Sequence, residues 1–302
     1  MSDRRPQKQT DTLGRATFHH IEPQIGMAPT KRELRWLKHI ERHGPQSSAY
    51  LHELTSDTHR SKDTSLRQLK KLRAANFLDL PAQQRATAHA DFNPYIYALT
   101  HKARIYLRDR YLDEPTVQPH GHWVHGFMTA CATASIDITS KRNGVNYVPG
   151  HKILSIKDAP LAIPIGSRKL IPDQLFALEY DKGFRAFALE VDRGTEPKTS
   201  SAARKSYTSS IESYRTVIER EIYKSHYGLK ANLLNLWIFS SRTNEERFLD
   251  LVATHGGEAK AFFLTQTVDS FHDSWKAPDI WQDLFLGPWK RTAGTPALIS
   301  SV

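Results

Sequence analysis

Two apolar runs, residues 175–180 and 184–191, flank the turn Asp181-Lys182-Gly183. An Asp-Gly-type turn between alternating apolar segments specifies an antiparallel hairpin. Side chains two apart on a strand share a face, so Glu190 and Asp192 point the same way. Pro172-Asp173 ends the apolar run before the first strand, and the expectation is that Asp173 lies across from that pair. Three carboxylates then converge at one end of a small sheet. Like charges so close repel unless a proton or cation intervenes, and a hard cation such as Mg²⁺, with Mn²⁺ as substitute, prefers carboxylate oxygen. Asp173, Glu190 and Asp192 are therefore the expected metal ligands, in the arrangement of a metal-dependent phosphodiesterase.

At 302 residues the chain is long enough for two domains with separate cores. Its net charge of +10 points to a polyanionic partner, most simply double-stranded DNA. Residues 1–115 hold 20 Lys+Arg against 13 Asp+Glu, while residues 116–302 hold 22 against 19, so most of the excess is N-terminal. A single cysteine, Cys131, excludes an internal disulfide and a Cys-rich zinc site, and its small-residue surroundings suggest inert packing. No apolar run approaches the roughly 20 residues of a membrane span, and the N-terminus lacks a hydrophobic signal core. A cytoplasmic protein without a membrane partner is the expectation.

Residues 1–28 are polar, basic and aperiodic, and read as a disordered tail. Thr30 and Glu33 form a capping-box pattern ahead of a helix with Leu34, Leu37 and Ile40 as its stripe. Ser47-Ser48 opens a short second helix carrying Leu51 and Leu54. A third helix spans about 62–76, with Leu66, Leu69 and Leu72 as the inner face. A strand starting at Phe77-Leu78, a partner strand over 95–99 and a helix over 102–111 complete a domain at 29–112. Helix, short helix, basic helix and two-stranded wing is the order of a winged helix-turn-helix, whose third helix enters the major groove. Arg60, Lys62, Arg67, Lys70, Lys71 and Arg73 on or beside that helix are the expected DNA-binding residues, against one acid, Asp63. Phosphate contacts by such side chains give affinity without base specificity.

Residues 113–120, with Pro115 and Pro119, read as a linker to a second domain at 121–270. The expected elements there are a helix over 123–136, short strands over 152–156 and 161–165, and the hairpin. A long amphipathic helix over about 201–226 follows, with Tyr207, Ile211, Tyr214, Ile218 and Ile222 as its stripe. Residues 233–239 form a near-continuous apolar run, as a buried parallel strand would. A helix over 244–253 and a strand over 259–264 follow. Residues 271–302, with Trp275, Trp281 and Trp289, read as an irregular Trp-rich tail.

This strand order, with carboxylates on the hairpin, resembles the PD-(D/E)XK nuclease superfamily. More closely, Ile171-Pro172-Asp173-Gln174 and the stretch from Leu189 to Glu196, which includes Glu190, Asp192 and Thr195, resemble the replication-relaxation family of plasmid and mobile-element proteins. The resemblance covers residues 30–270 in layout and is specific at 171–196. It implies an α/β fold, an N-terminal winged helix-turn-helix followed by an α/β/α restriction-endonuclease-like core with a mixed sheet. It also implies a DNA-binding protein involved in replication, relaxation or mobilisation, with a homodimer and replication or mobilisation proteins as further partners.

In the nuclease pattern the first Asp and the Glu bind metal, and a Lys two residues after the Glu orients or activates water. Asp173 and Glu190 fill the first two places, whereas Asp192 stands in the Lys place. A carboxylate cannot stabilise negative charge developing at phosphorus. Either Asp192 is a further metal ligand and Arg193, Lys198 or Lys205 supplies the positive charge, with Lys205 the foremost, or the site only holds shape or DNA. The pattern often carries an acid on the first core helix, and residues 123–136 contain none. His120, His122 and His125 have zinc-like spacing but straddle a loop and a helix start, so a structural or phosphate-facing role fits them better. Nucleotide-binding glycine loops are absent from the sequence. The tyrosines at 207, 214, 223 and 227 fit helix packing better than nucleophilic catalysis. A metal-dependent endonuclease and a non-catalytic winged-helix regulator both remain open.

Overall fold

The computed structural model describes residues 21–58, 61–85, 94–117, 122–193, 206–268, 277–292 and 294–301. The chain forms two compact units, the first made of the residues up to Asp113 together with Ala277, the second of nearly all those from Glu114 onward. Among the described residues no helix is long and apolar enough to cross a membrane.

The first unit begins with α1 (Lys31–His43). Its capping box forms as the sequence predicts: Glu33 N–H donates to Thr30 Oγ1 at 3.4 Å, and Thr30 N–H donates to Glu33 Oε2 at 2.8 Å. Upstream of α1, Gln24 N–H donates to Ala74 O and Met27 packs on the unit's core. Strand β1 (Gln46–Ser47), α2 (Ser48–Leu54) and α3 (Lys62–Ala74) follow. Then come β2 (Leu78–Asp79), α4 (Ala82–Arg85), β3 (Ile96–Leu99) and α5 (His101–Arg108). The three strands pair antiparallel in the order β1-β3-β2. Trp36, Leu37, Leu51, Leu69, Leu72 and Leu107 are buried at its centre.

The expected inner face of α3 needs one correction. Leu69 and Leu72 are buried, but Leu66 is 36% exposed and Ser65 takes the inward place at 1%. Ser65 Oγ meets His52 Nδ1 of α2 at 3.0 Å, a polar contact that an apolar side chain could not make.

The second unit is α/β, with a mixed five-stranded sheet. Helix α6 (Trp123–Arg142) leads through β4 (Asn146–Pro149) into α7 (Gly150–Leu154). A small hairpin of β5 (Ile163–Ile165) and β6 (Arg168–Leu170) precedes β7 (Gln174–Tyr180) and β8 (Gly183–Asp192). Helices α8 (Tyr207–Glu219) and α9 (Ile222–Tyr227) lead to β9 (Leu233–Phe239). Helix α10 (Arg242–His255), a 3-10 turn over Gly257–Phe262, β10 (Phe263–Thr267) and α11 (Asp283–Leu286) complete it. The sheet order is β10-β9-β8-β7-β4, with β8, β9 and β10 mutually parallel and the other pairings antiparallel.

Alternation along the strands builds a core on each face. Leu175, Ala177, Ala186, Ala188, Leu233 and Trp237 face one core with Tyr207, Ile211 and Tyr214 of α8. Phe176, Leu178, Phe187, Leu189, Leu236 and Ile238 face the other with Val124, Met128 and Ala132 of α6. Cys131 is buried in α6, in keeping with inert packing.

Three expectations are corrected. Residues 150–154 are helical, and the expected strand over 152–156 does not form: Ile153 alone is buried while Ile156 is 56% exposed, so the stretch lacks strand alternation. The expected long helix breaks into α8 and α9, with Glu221 left-handed at φ 51° between them. The last strand starts at Phe263, after the 3-10 turn, and extends to Thr267. Beyond it, Leu284, Phe285, Trp289 and Ile299 are fully buried in the second core, and Thr265 bridges Lys290.

Candidate functional site

The register of the β7–β8 hairpin fixes the acids. Gln174 pairs with Leu189 and Leu175 with Ala188, so Asp173 stands beside the end of β8. Asp173 Oδ2 accepts from Val191 N–H at 2.9 Å, the amide between Glu190 and Asp192. Asp173, Glu190 and Asp192 follow the alternation of Leu175 and Ala188, so all three lie on the α8 side of the sheet. Each is buried, with exposures of 7%, 1% and 2%.

The helix above them supplies donors. Tyr214 O–H donates to Glu190 Oε1 at 2.6 Å, and Tyr207 O–H donates to Asp192 Oδ2 at 2.7 Å. The order follows from the crossover: β8 and β9 are parallel, so the intervening helix runs back along β8. Its start then lies over Asp192 and its next turns over Glu190. Burial is the main cause that raises the Tyr214 phenol well above its usual range, followed by the charge of Glu190 and the hydrogen bond to it, with Asp173 adding to the effect. Tyr214 thus remains a proton donor under all ordinary conditions, and its hydroxyl senses Asp173 and Glu190 together.

From the opposite layer, His125 Nε2 in the first turn of α6 lies 3.0 Å from Asp173 Oδ1. The helix expected over 123–136 continues to Arg142 and so includes Asp137. Asp137 stands twelve residues beyond His125, about 18 Å along the axis. The helix therefore brings a histidine, not a carboxylate, to the acids.

The other expected site residues fall as follows. Arg193 Nη1 lies 3.5 Å from His122 Nδ1, so these two meet at the end of β8. Lys205, Lys198, Thr195, Glu196 and His120 lie outside the described residues. Asp173, Glu190, Asp192 and His125 gather at this end of the sheet, but no three of them bring ligand atoms within 4.8 Å of one another. Sequence reasoning missed the part of Tyr207 and Tyr214, which sit on the apolar stripe as core residues do.

In the first unit, Lys62, Arg67, Lys70 and Lys71 of α3 are exposed and Arg73 is half-buried. Arg67 bonds only Thr64 Oγ1, and no carboxylate pairs with Lys62, Arg67, Lys70 or Lys71 among the described residues. Arg60 lies outside the described residues.

Comparison with curated proteins and with solved structures gave no match. The family model described as replication-relaxation matches residues 37–233, which takes in α3, α6, the hairpin, all three acids and both tyrosines. The chain belongs to the replication-relaxation family.

Proposed function

We propose that the chain is a DNA-binding protein serving replication, relaxation or mobilisation of a plasmid or mobile element, in which a winged helix docks on double-stranded DNA and a PD-(D/E)XK-like unit acts on it. The observation that carries this reading is the exposed face of α3: four cations without carboxylate partners among the described residues, on the third helix of a unit that also holds a three-stranded sheet. Uncompensated Lys and Arg on one helix face bind phosphates with an affinity that falls steeply with salt.

In the second unit we take the acids as the donors of a divalent cation, which would draw them closer together than they lie here. Their donors are carboxylate oxygens on one face, and Asp173 and Glu190 both act on the Tyr214 hydroxyl. Asp173 and Glu190 would hold Mg²⁺, with Asp192 as a third oxygen donor. Such an ion supplies Lewis-acid charge at a phosphodiester. The chain's own residues orient the donors: Tyr214 fixes the Glu190 carboxylate, Tyr207 fixes Asp192, and the Val191 amide and His125 hold Asp173. The test is supercoiled plasmid with Mg²⁺ or Mn²⁺, comparing the wild type with Asp173→Ala and Glu190→Ala. Metal-dependent nicking or relaxation lost in both variants supports cleavage.

One observation favours a second reading. Asp192 occupies the place of the nuclease lysine and is buried against Tyr207. On that reading the second unit dimerises or recruits replication or mobilisation proteins, and the chain is a regulator. A wild type that binds duplex DNA but leaves supercoiled plasmid intact at every metal concentration decides for it.

A further inference from the structure

The stretch 150–172 lies between β4 and Asp173 and carries Lys152, Lys157, Arg168 and Lys169 against one acid, Asp158. All four cations are exposed, and none has a carboxylate partner among the described residues. They are mounted on ordered structure. Ile163 and Leu170 pair across the β5–β6 hairpin and are buried in the α8-side core, at 0% and 5% exposure. Tyr227 O–H donates to Leu161 O at 2.6 Å, and His226 Nε2 meets Pro160 O at 2.9 Å, which ties the approach to the hairpin onto α9. Gly166, at φ 58°, occupies the first turn position of the two-residue loop, where a glycine is favoured. The tip therefore presents Arg168 and Lys169 from a fixed base.

Position matters as much as charge. Only Leu170, Ile171 and Pro172 separate Lys169 from Asp173, so the two Cα atoms lie within about 14 Å, even for a fully extended link. That span is about four nucleotide rises along one strand of duplex DNA.

We infer that the β5–β6 hairpin, with Lys152 and Lys157 on the stretch that leads into it, is a second DNA-contact element that grips the phosphate backbone next to the acids of the second unit. This rests on the DNA-binding reading above and adds to it a site distinct from α3. A free-floating charge run would be solvated and worth little. A rigid, uncompensated one beside a carboxylate cluster is suited to holding a polyanion that the acids alone would repel.

The test uses the full chain with a mixed-sequence linear duplex as probe, titrated at several salt concentrations. It compares the wild type, Arg168→Ala/Lys169→Ala, and the charge reversal Arg168→Glu/Lys169→Glu. Both positions are exposed, and the far-ultraviolet circular dichroism of each variant checks its fold. The expected result is a salt slope shallower by about 0.9 per lost contact, so about 1.8 for the alanine pair. The reversal is expected to weaken binding further, and backbone footprinting to show a shortened protected tract. Wild-type affinity, slope and footprint in both variants would overturn this inference alone. Failure of the wild type to bind any duplex would overturn the functional reading and this inference with it.

Discussion

Tyr214 donates its hydroxyl proton to Glu190 across 2.6 Å, in a position where both residues are at most 1% exposed. A buried carboxylate held by a phenol that does not ionise under ordinary conditions is fixed in orientation. The bond joins α8 to β8 across the layer that the crossover creates. Replacing Tyr214 by Phe removes that donor and leaves the buried Glu190 carboxylate with one hydrogen bond fewer, at a cost of about 1–3 kcal/mol. Urea denaturation of the second unit is expected to show a lower midpoint with an unchanged slope.

Alkaline stability follows from the same environment. Burial raises Tyr214 well above its usual range, pushes Tyr180 up to about 12 and raises Tyr227 too. The folded state keeps these protons longer than the unfolded chain, whose phenols ionise near pH 10. The contribution is complete below about pH 10 and is lost as pH rises through the folded values. Unfolding free energy measured from pH 8 to 11 is expected to fall above about pH 10, less steeply in Tyr214→Phe.

Metal linkage gives an independent reading of the acids. A divalent ion bound only by the folded chain at about a hundredfold its Kd adds about 2.7 kcal/mol of stability. Thermal melts with Mn²⁺ against a chelator are expected to show a rise in Tm for the wild type. Asp173→Ala and Glu190→Ala are expected to lose it.

The rotation of α3 can be checked by packing. Leu69→Ala empties a fully buried site and is expected to cost about 2–5 kcal/mol. Leu66→Ala, at an exposed position, is expected to stay within about 0.5 kcal/mol. Equal losses would contradict the burial of the helix.

Docking through α3 is open to a salt titration. Lys70→Ala/Lys71→Ala removes two exposed cations and leaves the core untouched. Affinity for duplex DNA is expected to drop, with a salt slope shallower by about 1.8 for the two contacts.

Local physics made part of this molecule legible before any coordinates. The Thr30–Glu33 capping box, the turn at Asp181-Lys182-Gly183 and the largely apolar β9 depend on neighbours in sequence, and each forms where its pattern lies. Period two along β8 likewise set Glu190 and Asp192 on one face. The two-residue β1 was beyond such reasoning, because a pair of residues has no period. So was the exchange of Leu66 for Ser65 on α3, since a neighbouring helix chose the polar contact with His52. The partners of the acids were hidden for the same reason. His125 reaches Asp173 from the helix on one side of the sheet, and Tyr207 and Tyr214 reach Asp192 and Glu190 from the helix on the other. Which side chains meet across layers depends on strand order and on the direction of the crossover helix. Those are properties of the assembled sheet, and no single stretch of sequence contains them.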